Sequence, residues 1–121
     1  MNTTFIGRRA ALLALSAMAL AGTASAQQQP WPAKPIRFVV PFSAGGANDL
    51  MGRAAAEGAA KVLGQPIIVD NKPGAGAMLG TDVVAKAAPD GYTFLISAAG
   101  VVSNSMIRKV PYKDSDLVPV A

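Results

Sequence analysis

Short apolar runs alternate with helix-like segments through the middle of the chain. Three runs have the apolar content of strands: residues 36–40, 67–69 and 92–96. The compact apolar content of the first run also predicts burial on both of its faces. Two stretches with helical spacing separate the three runs, at 50–63 and 77–87. Because strands and helices alternate, the pattern predicts an α/β fold with a parallel sheet, right-handed crossovers and flanking helices.

Proline and glycine mark the ends of these elements. Pro41 ends the first strand, Gly64 is a C-terminal stop for the first helix, and residues 88–91 break the second. Beyond the third strand the pattern predicts only a short helix at 103–108 and a strand-like segment at 117–120. The well-marked order is therefore strand, helix, strand, helix, strand.

The helix at 50–63 has two distinct sides. An apolar side can be formed by Leu50, Ala54, Ala55 and Val62. A charged side repeats every four residues, at Arg53, Glu57 and Lys61. This spacing is typical of a surface helix with one face toward the protein and one toward water.

The first 26 residues have the pattern of a secretory signal peptide. Arg8 and Arg9 precede the apolar run ALLALSAMALAG, and Ala24-Ser25-Ala26 supplies an A-x-A cleavage site. The apolar run is shorter than the roughly 20 residues that span a bilayer, although an uncleaved anchor is the alternative. The general secretory route is expected, and the paired arginines leave the twin-arginine route open. Residues 27–35 then form an extended, proline-rich leader.

Composition narrows the classes of function. The chain has 121 residues and a net charge of +4, which falls to +2 once the two arginines of the signal peptide are removed. The remaining charges are scattered and few aromatic residues lie among them, so nucleic acid is not an expected partner. Cysteine and histidine are absent, which excludes disulfides, most zinc sites and histidine-based triads. Neither a metal nor a cofactor is expected, and the periplasm is the expected compartment.

Candidate chemistry lies in three loops at the carboxyl ends of the strands, where open α/β sheets bind their ligands. Residues 43–49 combine two glycines with the start of a helix, an arrangement that stabilises a carboxylate or phosphate. The alternative is a turn in which Asn48 or Asp49 caps the helix and nothing binds. Residues 73–76 repeat the glycine-rich design beside Lys72, and residues 97–100 offer a hydroxyl and small side chains.

These loops carry no nucleotide-binding signature. The stretch GGANDL lacks the lysine of a P-loop, and neither glycine cluster has G-x-G-x-x-G spacing. Ser43 also lacks the G-x-S-x-G elbow of a hydrolase. A small secreted α/β hydrolase that uses Ser43 or Ser97 with Asp49 stays as the alternative function.

The order of these motifs resembles a known family. The segments KPIRFVVPFSAGGANDLMGR, LGQPIIVDNKPGAGAMLGTDVVAKAAPDGYTFLI and KVPY are similar to the periplasmic solute receptors of tripartite tricarboxylate transporters, the Bug or TctC family. The resemblance spans roughly residues 30–121. It implies a two-domain, type II-like clamshell that is not an enzyme and that delivers a small carboxylate to membrane permease subunits. Dicarboxylates, tricarboxylates and acidic amino acids are the implied ligands.

The resemblance also implies where the ligand binds. We call the three implied ligand loops loop 1 (residues 42–49), loop 2 (72–76) and loop 3 (97–103). The candidate ligand-binding residues are Phe42, Ser43, Ala44, Gly45, Gly46, Ala47, Asn48, Asp49, Gly74, Ala75, Gly76, Ser97, Ala98 and Gly100. The chain departs from the family pattern at Ala47-Asn48, where serine or threonine is usual, and at Asn104-Ser105, where Asn-Pro is frequent.

Family members are about three times longer than the chain without its signal peptide. Residues 36–121 are therefore expected to be the N-terminal portion of the first lobe, ending before or at the crossing into the second. Because a clamshell buries its ligand between two lobes, this portion alone is expected to bind weakly or not at all. A remnant that binds nothing is the remaining alternative.

Overall fold

The computed structural model describes residues 30–120. The predicted signal peptide and the first three residues of the predicted leader lie outside this range. Within it, residues 30–35 contain no helix or strand. No helix in residues 30–120 is both long enough and apolar enough to cross a membrane.

The predicted alternation of strands and helices is confirmed. The elements are β1 (Ile36–Val40), α1 (Ala47–Leu63), β2 (Ile67–Asn71), a 3-10 helix (Ala75–Ala77), α2 (Met78–Ala85), β3 (Thr93–Leu95), α3 (Gly100–Ile107) and a second 3-10 helix (Asp114–Asp116). The three strands form one parallel sheet in the order β2-β1-β3. The chain is therefore an α/β protein with helices flanking a parallel sheet.

Several element ends differ from the prediction. α1 begins three residues earlier than the apolar periodicity indicated, because Gly46 is its extended N-cap and its first turn is polar. β2 continues through Asp70 and Asn71, whose side chains find hydrogen-bond partners in neighbouring elements. α3 begins at Gly100 rather than at 103. The strand predicted at 117–120 is wrong, because those residues form no strand.

Both faces of the central strand are covered. Val39 and Val40 point to opposite faces of β1, yet both are fully buried. β1 pairs with β2 and with β3, so the chain crosses the sheet in both directions. Right-handed crossovers in opposite directions place α1 on one face and α2 on the other.

The side of α1 that packs is not the predicted apolar side. Leu50 and Val62 are exposed, whereas Gly52 and Ala56 are buried. A Cβ atom added to Gly52 would lie 3.1 Å from Cγ2 of Val40, which shows how closely the helix approaches the sheet. Small residues therefore set the packing distance of this helix.

α2 approaches the sheet even more closely at Gly80. A Cβ atom added there would lie 2.7 Å from Cβ of Pro41 and 2.9 Å from the carbonyl oxygen of Lys72. Pro41 and Lys72 directly follow β1 and β2, so the contact sits at the edge of the sheet from which loops 1 and 2 leave. The backbone of α2 thus supports the bases of both loops.

We predict that Gly80→Ala destabilises the protein by about 1–3 kcal/mol, because the added methyl group meets backbone that cannot move freely. Urea unfolding followed by circular dichroism measures the change. Gly58→Ala is the matched control, since Gly58 is an exposed helical glycine with nothing within 4 Å of an added Cβ atom. This control should stabilise α1 by about 0.5–1 kcal/mol. Equal midpoints for Gly80→Ala and the wild type would contradict the packing described here.

Candidate functional site

The three candidate loops leave the same edge of the sheet. β1, β2 and β3 run parallel, so loops 1, 2 and 3 follow their carboxyl ends side by side. Side chains from neighbouring elements connect two of these loops to the rest of the fold. No hydrogen bond within residues 30–120 joins Ser97, Ala98 or Gly100 of loop 3 to loop 1 or loop 2.

Loop 1 is a tight turn that leads directly into α1. Gly45 adopts a left-handed conformation with φ of 81°, and the Gly46 N–H donates to the carbonyl oxygen of Ser43 at 3.4 Å. The first helical hydrogen bond runs from Leu50 N–H to the Gly46 carbonyl. The three intervening N–H groups have no acceptor within residues 30–120: those of Ala47, Asn48 and Asp49. They are donors at the positive end of a 17-residue helix.

The carboxylate of Asp49 is buried beneath this turn. Its side chain is only 2% exposed and accepts three hydrogen bonds. Oδ2 accepts from Gly45 N–H at 2.8 Å and from Nε of Arg53 at 2.9 Å, while Oδ1 accepts from Nδ2 of Asn71 at 3.0 Å. Asp49 is thus held by the protein itself, and its contact with a ligand stays a prediction. No side chain caps α1 at Gly46.

These contacts keep Asp49 charged. Hydrogen bonds from Arg53, from the Gly45 N–H and from Asn71, in that order of importance, lower the pKa of Asp49 to about 2. Burial alone would raise this pKa, so the three donors outweigh the loss of water. At neutral pH the base of loop 1 therefore contains a full negative charge paired with Arg53.

Asn71 connects loop 1 to β2. Its Nδ2 group donates to the Phe42 carbonyl at 3.1 Å as well as to Asp49, and its Oδ1 accepts from Nη2 of Arg53 at 3.3 Å. Asp49, Arg53 and Asn71 therefore form a closed ring of contacts, which we call the Asp49 cluster. The sequence pattern ended the second strand at residue 69, before Asn71, and did not predict this role. The sequence feature that could have indicated this role is a polar residue, Asn71, just after the carboxyl end of a predicted strand.

Loop 2 has an unusual backbone. Positive φ values occur at four consecutive residues: Gly74, Ala75, Gly76 and Ala77. Left-handed alanines are uncommon and persist where the surroundings hold them in place. One such restraint is Asn104 of α3, which is 8% exposed and donates Nδ2 to the Gly76 carbonyl at 2.8 Å. Asn104 is a second supporting residue that sequence analysis missed.

The side chains of Ser97 in loop 3 and of Lys72 are held by longer contacts than those of the Asp49 cluster. Ser97 is half-buried and its Oγ lies 3.5 Å from the carbonyl oxygen of Ala98, a long contact. Lys72 Nζ lies 3.6 Å from Oδ1 of Asp70, and Asp70 also pairs with Arg37. Part of the charge of Lys72 is therefore balanced within the protein.

Within residues 30–120, the serine–aspartate pairs of the hydrolase alternative are not formed. Neither Ser43 nor Ser97 hydrogen-bonds to Asp49 within the described part of the chain, and the oxygens of Asp49 are occupied by the three donors above. A nucleophile needs a base within hydrogen-bond reach. The edge instead presents the N–H groups of Ala47, Asn48 and Asp49, which have no acceptor in the described part of the chain and suit an anion.

Known sequences define the class of this protein. The family profile described as "Tripartite tricarboxylate transporter family receptor" matches residues 51–121, more than half of the chain. The chain is 42% identical over 116 residues to a UPF0065 protein of Bordetella pertussis, covering 94% of this chain and 35% of that protein. It is 46% identical over 95 residues to Protein BugT of the same organism, covering 75% and 29%. The chain spans about one third of the length of these curated relatives.

Solved structures agree with this class. The periplasmic binding protein BugD is 48% identical with a TM-score of 0.53, covering 54% of this chain and 22% of that one. MatC from Rhodopseudomonas palustris with bound malate is 45% identical with a TM-score of 0.52 and the same coverage. R. palustris Rpa4515 with adipate is 37% identical with a TM-score of 0.54, covering 55% and 22%.

The matched structures belong to a class of periplasmic solute-binding proteins. Within that class, the chain belongs to the tripartite tricarboxylate transporter receptor family, also called the Bug or TctC family. The resemblance inferred from the sequence motifs is therefore confirmed.

We predict that the Asp49 cluster makes stability depend on pH. Because the pKa of Asp49 is lowered from 3.8 to about 2, its contribution is complete above pH 3.8 and is lost as the pH falls toward 2. Asp49→Asn removes this contribution and leaves those of Asp70 and Asp90, whose pKa values are also lowered. The free energy of unfolding is measured with urea from pH 2 to above pH 3.8, for the wild type and for Asp49→Asn. The two values should differ most above pH 3.8. A difference that does not shrink toward pH 2 would contradict the assignment.

Proposed function

We propose that the chain provides ligand-binding loops of an extracytoplasmic solute receptor that captures a small carboxylate. The observation that carries this proposal is the row of N–H groups of Ala47, Asn48 and Asp49 at the start of α1, which have no acceptor within residues 30–120. Donors and helix dipole together stabilise a negative group at this position. Two structural relatives hold malate and adipate, which supports a carboxylate as the ligand.

We assign the ligand contacts mainly to backbone groups of the three loops. Residues 43–47 are exposed and, apart from Ser43, have only a hydrogen atom or a methyl group as side chain, so the main chain is accessible. Loop 2 adds Gly74, Ala75 and Gly76, and loop 3 adds Ser97, Ala98 and Gly100. The proposed ligands are dicarboxylates, tricarboxylates and acidic amino acids, and the proposed partners are permease subunits of the transporter.

We further propose that residues 36–121 contribute the N-terminal portion of the first lobe of a two-lobed receptor. A second lobe would supply the remaining contacts and exclude water from the ligand. Ligand binding by this chain is then weak, because one lobe leaves the carboxylate partly hydrated. In the same proposal, residues 1–26 direct export and are cleaved after Ala26.

We predict that malate and adipate, added at millimolar concentration, shift the amide NMR signals of Ala47, Asn48 and Asp49. The protein is recovered from the periplasm, and its intact mass first shows whether residues 1–26 have been removed. Ionic strength is held constant with sodium chloride, so that general screening does not change during the titration. A neutral diol of matched length serves as the ligand control.

Amides at the opposite end of the sheet provide the internal control. Gly91 and Tyr92 lie beside the start of β3, where the Tyr92 hydroxyl accepts from Ala33 N–H, and their signals should not move. Saturable shifts confined to the loop edge would support carboxylate binding. Uniform small shifts, or none with any carboxylate, would contradict it and favour a chain that binds nothing.

A further inference from the structure

The buried carboxylate of Asp49 creates an electrostatic problem for an anion site. Its Oδ2 atom is hydrogen-bonded to the N–H of Gly45, within the turn that would hold the ligand. A second negative charge at this turn would be repelled through a medium less polar than bulk water. The proposed anion site therefore requires a compensating positive charge close to Asp49.

Arg53 is placed to supply that charge. It lies one turn along α1, with Nε 2.9 Å from Oδ2 of Asp49, and its side chain is 53% exposed. Among residues 30–120, Arg53 is the cation within ion-pair distance of Asp49. Lys72 and Arg37 pair with Asp70 instead. A second contact, from Nη2 to Oδ1 of Asn71, fixes the orientation of the guanidinium group.

We propose that Arg53, which lies outside all three loops, sets the charge preference of loop 1 by neutralising Asp49 and turning its carboxylate toward Asn71. Arg53 acts here as a positioning residue and does not contact the ligand. This inference rests on the proposed carboxylate-binding function. Its consequence is that an anion binds loop 1 more tightly while Asp49 is paired with Arg53.

The mechanism predicts a pattern across four variants. Arg53→Gln leaves Asp49 unpaired and should weaken the binding of malate and adipate about three- to tenfold, the effect of one nearby charge. Arg53→Lys keeps the charge and should stay within about threefold of the wild type. The double variant Arg53→Gln with Asp49→Asn removes both charges and should bind within about threefold of the wild type, whereas Asp49→Asn alone leaves Arg53 unpaired and should bind at least as tightly as the wild type.

Lys61→Gln is the matched control. Lys61 pairs with Glu57 at 2.8 Å on the same helix and at the same i,i+4 spacing, so its removal changes the net charge equally. It lies two turns farther from loop 1 than Arg53 does. Binding by this variant should therefore equal that of the wild type within about twofold, because exposed charges at this distance are largely screened.

Dissociation constants from the amide titrations decide the matter, and the ligand-free amide spectrum of each variant shows whether it folds. Weakening in Arg53→Gln that is rescued by Asp49→Asn supports the inference. Binding by Arg53→Gln that equals the wild type overturns it, and so does weakening that Asp49→Asn does not rescue. If Arg53→Gln does not fold, the double variant is compared with the wild type, and a double variant that binds more than about threefold more weakly overturns the inference. A wild type that binds no carboxylate instead overturns the proposed function.

Discussion

The loop edge of this protein depends on one buried charge. A carboxylate that is almost removed from water destabilises the fold unless donors replace its hydration. Asp49 obtains those donors from three directions: the turn of loop 1, the first turns of α1 and the end of β2. The same interaction that satisfies the charge therefore fixes where loop 1 lies relative to the sheet.

Two asparagine side chains also hold loops in position, one at loop 1 and one at loop 2. Asn71 fixes the start of loop 1 through the Phe42 carbonyl, and Asn104 fixes loop 2 through the Gly76 carbonyl. Gly80 adds a backbone contact beneath both loops. A flexible, glycine-rich edge is thus given a defined shape by side chains that lie outside the glycine motifs. Such pre-organisation reduces the ordering cost of binding a small ligand.

The sequence was sufficient to predict the order of helices and strands and the family. It was not sufficient to predict the contacts of Asn71, Asn104 and Gly80 that hold the loops in position. Apolar runs identify both β1 and β3. In β1 the reason is burial, because Ile36, Val39 and Val40 lie in the core of a parallel sheet, which selects compact apolar residues. The packing side of α1 was mispredicted because close approach uses Gly52 and Ala56, which carry little apolar signal. Asn71 and Asn104 bond to carbonyls that are 29 and 28 positions away in the chain, so no local pattern reveals them. The assignment of individual loop residues to a ligand stays a prediction.

The central claim is that loop 1 is shaped before any ligand arrives, and native-state hydrogen exchange of the ligand-free protein tests it most directly. Gly45 is exposed, yet its N–H is bonded to Asp49, so its exchange should be slow. The neighbouring amides of Ala47, Asn48 and Asp49 have no acceptor in the described chain and should exchange quickly. Fast exchange at Gly45, equal to that of these three neighbours, would show that the Asp49 cluster does not hold the loop and would contradict the account.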